Sequence, residues 1–333
     1  MAAGAPIVAG MEDPSGLARF RPSRPGSDHR GTNLGSPSQS GVRTGELPLL
    51  DRIVFDSPSV RVGAFRCPVG HPLFRNSGPI QNDIFVFPRR SVRLCHEGES
   101  PFLADPSVVT LYNRGQRYSR SPVSAAGDDC EWFAVERGLL FDAVRAFDAS
   151  VEDRPERPLR WAYGPCNPRT YLSQRTLFDQ LCGAEPRDPL WVEETIIGLL
   201  SDVLASTCAF WGTTRRPCPA ARGEREAAES VKSFLCARLG EPLSLSDIAR
   251  EVDVSVFRLC RAFRAATGST LHAYRNQMRL QAALERLGGG ESLTEIALDL
   301  GYSSHSHFTA AFRELFGVTP SSFRRASYGN RPS

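Results

Sequence analysis

Between Leu245 and Phe323 the chain states one helical pattern twice: Ile248, Ala249, Ser255, Phe263 and Gly268 recur as Ile296, Ala297, Ser304, Phe312 and Gly317. A repeat at this spacing restricts the fold more than any bulk property does. Each copy reads as a short amphipathic helix, a turn, and a second helix that starts at a serine and buries a phenylalanine near its far end. The copies span 243–268 and 291–317, with the turn one residue longer in the second. The pattern predicts two helix-turn-helix units side by side.

Local signals agree. Ser292 with Glu295 three residues on fits a capping box, and Ser244 with Asp247 is a weaker version of the same device. Ile248, Val252, Phe257 or Leu259, and Phe263 fall at intervals that let two short helices share an apolar seam. Gly268 and Gly317 suit left-handed stops. Thr319 and Pro320 read as an N-cap and first helical residue, predicting a small terminal helix that packs Phe323 beneath the second copy. Between the copies, Leu271, Tyr274, Met278, Ala282 and Leu284 predict one long helix over 270–287 that sets the separation of the units.

From about Glu224 to Arg325 these residues resemble the AraC/XylS family of transcription regulators. The first-unit signature falls on Ile248, Ala249, Ser255, Leu259, Arg261, Phe263, Thr267 and Gly268, and the inter-unit signature on Tyr274, Arg279, Leu280 and Ala283. The second-unit signature falls on Ile296, Ala297, Gly301, Tyr302, Ser304, Ser306, Phe308, Phe312, Arg313, Phe316, Gly317, Thr319, Pro320, Phe323 and Arg324. The resemblance implies an all-α domain of two helix-turn-helix units joined by a long helix, binding double-stranded promoter DNA. Two recognition helices about 34 Å apart would read neighbouring major grooves on one face of the duplex.

With Leu259 and Phe263 facing inward, the first recognition helix offers Ser255, Val256, Phe257, Arg258, Cys260 and Arg261 to DNA. Arg261 is the candidate for a paired bond to guanine, and Phe257 for a thymine methyl or a sugar. With Phe308 and Phe312 inward, the second offers Ser304, His305, Ser306, His307, Thr309, Ala310 and Arg313, together with Ser303. His305 and His307, two apart on a helix, lie on different sides and chelate poorly without a third ligand, so no metal is expected there. Net charge decides little, since residues 224–325 hold thirteen basic against twelve acidic side chains. Distribution says more: Arg258, Arg261, Arg264, Arg275, Arg279 and Arg313 are expected near the groove-facing side, where phosphate contacts would make binding salt-sensitive.

A chain of 333 residues, 41% hydrophobic and 23% charged, can bury a second core, so two domains are the natural count, and strand-like runs ahead of the helical module make the expected fold class α+β. Residues 1–46, rich in Gly, Pro, Ser and Arg, read as a disordered segment without the apolar stretch of a signal peptide. Short β-branched or aromatic runs at 53–55, 60–65, 83–87, 92–95, 108–112 and 132–135, punctuated by Pro and Gly, suggest a barrel or sandwich. In chains resembling this family such a segment is often a cupin-like β-barrel that binds a small-molecule effector, and 47–150 is assigned to it.

Helices follow at 139–147, 167–182 and 190–211; residues 151–212 are assigned as a dimerisation segment, the alternative being that these helices cover the barrel's own open face. Residues 213–223 read as a linker, 224–326 as the DNA-binding domain and 327–333 as a tail. No apolar run approaches a membrane span, and a cytoplasmic location is expected. The barrel segment offers only His71 and His96 with Cys95 and Glu97 nearby, so no cofactor or metal is expected. Nine cysteines without CxxC spacing read mostly as small buried residues, with redox or metal roles for Cys67, Cys95 or Cys130 left open. Arg117, Tyr118, Ser119 and Arg120 read either as an effector-orienting strand end or as a solvated hairpin. Lys232, the sole lysine, is ascribed to a GC-rich genome.

The reading is a non-enzymatic, homodimeric transcription regulator, contacting RNA polymerase if it activates. The alternative is a metal- or cysteine-dependent cupin enzyme or redox sensor fused to a DNA-binding tail.

Overall fold

The computed structural model describes residues 50–183, 187–213 and 219–328, with the side chains of 213, 219–224 and 257 outside that description. The expected N-terminal segment 1–46 lies outside the described residues. Strands β1 (Asp51–Asp56), β2 (Val60–Cys67), β3 (Asn76–Ser77), β4 (Ile84–Pro88), β5 (Val92–His96), β6 (Phe102–Ala104), β7 (Val108–Tyr112), β8 (Tyr118–Pro122), β9 (Asp128–Val135) and β10 (Tyr163–Pro165) make two antiparallel sheets. One runs β1-β2-β9-β4-β7-β10 and the other β3-β8-β5-β6. The hydrogen-bonded ladders thus form two open sheets and not one closed cylinder. Three short strands, β3, β6 and β10, had no sequence signal of their own.

Alternation along the strands feeds two cores. Ile84, Val86, Cys130, Trp132 and Tyr112 enter the space between the sheets, where Phe65, Leu94 and Phe102 meet them. Phe85, Phe87, Phe133, Val135, Val109 and Leu111 point the other way, onto helices. Burial on both faces explains why β4 and β9 carry near-continuous apolar runs. The helices on that second face are α1 (Arg137–Arg145), α2 (Pro168–Leu181) and α3 (Pro189–Thr213). Asn167 caps α2, its side chain accepting the Thr170 N–H at 2.9 Å.

Two expectations change here. The apolar face of α3 (Val192, Ile196, Leu199, Leu200, Val203 and Leu204) is buried in the chain's own core. Glycine at 164 lets α3 press against β10, because a Cβ there would overlap Thr207. In addition, Pro189–Gly212 is long and apolar enough to cross a membrane by length and composition alone, with about a third of that stretch buried inside the fold.

The C-terminal helices are α4 (Pro219–Ala237), α5 (Leu245–Glu251), α6 (Val256–Thr267), α7 (Leu271–Arg286), α8 (Leu293–Asp299), α9 (His305–Phe316) and α10 (Pro320–Tyr328). The expected linker 213–223 is therefore shorter: Thr213 ends α3, Pro219 opens α4, and 214–218 lie outside the described residues. Proline at a first helical position, followed by alanines, arginine and glutamates, favours helix without any apolar period. The tail is shorter too, since Ser327 and Tyr328 belong to α10 and Tyr328 donates to Asp179 at 3.0 Å.

Candidate nucleic-acid interface

Both copies fold as helix, turn, helix, and the same local chemistry builds each. Ser244 accepts the Asp247 N–H while Asp247 accepts the Ser244 N–H, and Ser292 and Glu295 do the same, so both capping boxes are complete. In each turn one residue is left-handed: Asp253 at φ 49° and Gly301 at φ 78°. Asp tolerates that region. At 301 only glycine fits, because a Cβ would lie 2.7 Å from the Gly240 carbonyl oxygen.

The second helix of each unit starts on a serine. Ser255 Oγ accepts the Arg258 N–H at 3.3 Å, and Ser304 Oγ accepts the His307 N–H at 3.1 Å. These serines of the expected DNA-contact set therefore already serve as N-caps, while remaining exposed. Gly268 and Gly317 end the two helices left-handed, at φ 72° and 79°. Leu259 and Phe263 are buried in the first unit, Phe308 and Phe312 in the second. The opposite face of α6 exposes Val256, Arg258, Cys260, Arg261 and Arg264. Phe257 belongs to α6, but its side chain lies outside the described residues.

On α9, His305, Ser306, His307, Ala310 and Arg313 are exposed and Thr309 is half-buried. The histidines do not converge. His307 Nδ1 shares a 3.1 Å hydrogen bond with Ser303 Oγ and its ring meets Tyr302 edge-on, whereas His305 Nε2 faces Thr309 Oγ1 at 3.5 Å.

Two arginines expected on the groove side are elsewhere. Arg275 donates to the carbonyls of Arg238, Leu239 and Glu241. Arg279 donates to Leu239 O at 2.6 Å and sits over the Tyr302 ring. Both satisfy carbonyls of the turn that follows α4, a role that sequence spacing does not distinguish from phosphate contact. Arg264, placed in the arginine cluster but not in the contact set, is the register partner of Arg313. Alignment of Ser255 with Ser304 and Gly268 with Gly317 makes that pairing legible.

In the sheet region, Tyr118 and Arg120 are buried and do not form a solvated hairpin. Arg120 donates to Asp128 at 2.6 Å and to the carbonyl oxygens of Phe74 and Leu73, and its guanidinium lies over the Phe65 ring. Burial pushes the Cys67 and Cys130 thiols up, away from the reactive thiolate. Cys95 donates to Glu99 O at 3.3 Å. Among the described residues no three His, Cys, Asp or Glu side chains gather as metal ligands would.

A further set of residues, unmarked by any motif, joins the two regions. Lys232 on α4 is buried beside Asp105, and Glu285 on α7 meets Arg89 and Arg175.

A helix-turn-helix domain model matches residues 248–326. The regulatory protein SoxS of Escherichia coli K12 is 38% identical over 97 residues, 29% of this chain and 91% of SoxS. The regulatory protein PocR of Salmonella typhimurium is 32% identical over 114 residues, 34% of this chain but only 36% of PocR. Among solved structures, ToxT of Vibrio cholerae, crystallised with an unsaturated fatty acid, aligns over 84% of this chain and 99% of its own. Its identity is 14% and the TM-score 0.33, a distance at which nothing about ligand or mechanism transfers.

Proposed function

Because the chain belongs to the AraC/XylS family of DNA-binding transcription regulators, we propose that it is a one-component regulator in which the sheet region senses a small molecule and the paired units bind a promoter. The carrying observation is the pair of capped helix-turn-helix units, each with a phenylalanine pair or leucine-phenylalanine pair inside and a polar face outside. In SoxS the matching stretch makes up nearly the whole regulator, which supports DNA binding by residues 224–326 here. Ser255, Val256, Phe257, Arg258, Cys260 and Arg261 form the first contact face. Ser304, His305, Ser306, His307, Thr309, Ala310 and Arg313 form the second, with Arg264 added.

The effector site lies between the two sheets, in the region assigned to 47–150. Trp132, Tyr112 and Leu94 line a cavity of about 30 Å³, room for about one water molecule, so a metabolite has to part the sheets to enter. Beside the cavity His96 packs on the Tyr112 ring, and its Nε2 has no partner among the described residues. Gln116 Oε1 accepts the Asn113 N–H, which turns its amide nitrogen onto His96 Nδ1 at 2.8 Å. The proton then sits on Nε2, and an effector with a carbonyl or carboxylate oxygen satisfies it. Homodimerisation in this reading uses the outer face of α3, where Leu190, Trp191, Gly198 and Ala205 stay exposed. In this reading the protein acts in the cytoplasm, with RNA polymerase as partner if it activates.

The test is a comparison of the full-length protein with Arg261→Ala on the duplex upstream of its gene and on an unrelated duplex. Specific affinity is expected to fall by about 1 to 3 kcal/mol, and non-specific affinity by less. Equal losses would make Arg261 a phosphate contact. No shift of either duplex by the wild type at low salt would end the reading.

A further inference from the structure

The DNA-reading helices are fastened to the sheet region by two separate clusters of buried charge. In one, Glu285 on α7 binds Arg89 and lies 3.5 Å from Arg175, while both arginines also bind Glu131 on β9, and Tyr171 donates to Glu285 at 3.4 Å. In the other, Lys232 on α4 lies 3.5 Å from Asp105 and 3.4 Å from the Leu103 carbonyl. Glu229 accepts the Leu103 N–H, and Tyr274, at the start of α7, donates to Asp105 at 2.6 Å. Tyr274 and Glu285 stand eleven positions apart on α7, about 16 Å of rigid helix, so the two clusters share one lever. Between them Gln281 donates to Pro106 O at 2.8 Å.

We propose that these clusters act as one latch: the DNA-reading module lifts from the sheet region as a unit, so that releasing the Glu285 cluster also releases Lys232. The latch grips both reading units. Helix α4, which packs on α6, carries Glu229 and Lys232, and α10, which packs on α9, carries Tyr328 to Asp179 on α2. Holding both ends fixes how α6 and α9 sit relative to one another, and opening frees that relation. The charged groups regain hydration when the seam opens, which offsets part of the cost of uncovering the apolar contact that α2 makes with α9 and α10. Glu131 ties the latch to the proposed effector site, since its strand neighbours Cys130 and Trp132 line the cavity between the sheets. What the latch controls rests on the regulator reading; the latch itself does not.

The sole lysine supplies the probe. Full-length protein is treated with an amine-reactive acetylating reagent, and modification at Lys232 is followed by peptide mass spectrometry, without DNA or effector. Lys232 is expected to label slowly in the wild type and roughly tenfold or more faster in Glu285→Gln, although Glu285 does not touch it. Cooperative thermal unfolding of the variant separates release from collapse. If Glu285→Gln does not fold, Tyr328→Phe, which removes the hydroxyl that bonds Asp179 and Arg175, is expected to raise labelling severalfold. Unchanged Lys232 labelling in a folded variant overturns the proposal, since it makes the clusters independent contacts. Failure of DNA binding would leave this outcome untouched, so the two readings fall separately.

Discussion

The first reading unit packs on itself: Ala228, Val231 and Leu235 of α4 meet Ile248, Leu259, Phe263, Leu271 and Tyr274 in a core separate from every other. In the second, Leu284, Ile296, Phe308, Phe312 and Phe323 belong to the same buried cluster as Phe133 of β9 and Leu200 of α3. Two copies of one sequence pattern thus differ in what they depend on. The first has its own leading helix to complete it, and the second borrows the sheet region. Their outer faces differ as well, arginines on α6 against serines and histidines on α9. A sequence repeat specifies each unit's local geometry, while the neighbours available to each decide its stability.

The sharpest way to break this contrast is a pair of truncations. Phe312→Ala removes a ring that packs against Phe308 and Phe316, at a cost of about 3 to 5 kcal/mol. Hydrogen exchange is expected to quicken in β9 and α3 as well as in α9. Phe263→Ala is expected to cost a similar amount but to leave β9 and α3 protected. Equal effects of both on the sheet region would show one undivided core.

Acid offers a second separation. Burial, and to a lesser degree Arg157, lowers His96 to about 4 from the ordinary 6.5. The unfolded chain therefore takes up a proton below pH 6.5 that the folded sheets refuse until about 4, so stability falls as pH drops through that window. The loss approaches about 3 kcal/mol, and His96→Phe is expected to flatten it in urea titrations at a series of pH values. The second unit is expected to melt with the sheets while α6 keeps its exchange protection.

The smallest test lies in the turns. Gly301→Ala forces a Cβ toward the Gly240 carbonyl in a left-handed conformation, costing about 2 kcal/mol. Asp253→Gly at the equivalent place is expected to be neutral or to stabilise by up to about 1 kcal/mol. Thermal midpoints of the two variants decide whether the turns are as unequal as their φ values suggest.

Much of the reading module was legible because its signals are local. Caps at Ser244 and Ser292, stops at Gly268 and Gly317, and the inward set Leu259, Phe263, Phe308 and Phe312 all depend on neighbours within a few residues. The long α7 followed from periodicity alone. What could not be read depends on distant partners. Arg275 and Arg279 look like any exposed helical arginine until the end of α4 is placed beside them. Lys232 carries no motif, and only the fold puts Asp105 against it. The face of α3 looked free for a second copy because nothing in its own sequence names β10 and the six-stranded sheet as its cover. Strands as short as β3, β6 and β10 are defined by pairing and leave no periodic trace.

Strand β6 carries a practical consequence. It is the outer strand of the four-stranded sheet, with β5 on one side. On the other, Glu229 and Lys232 satisfy the Leu103 N–H and C=O as a neighbouring strand would. Cutting the chain before α4 to isolate the sheet region would uncover those groups, and a bare edge recruits another edge. Self-association of such a truncated piece would then reflect the cut, so quaternary structure is best measured on the intact chain.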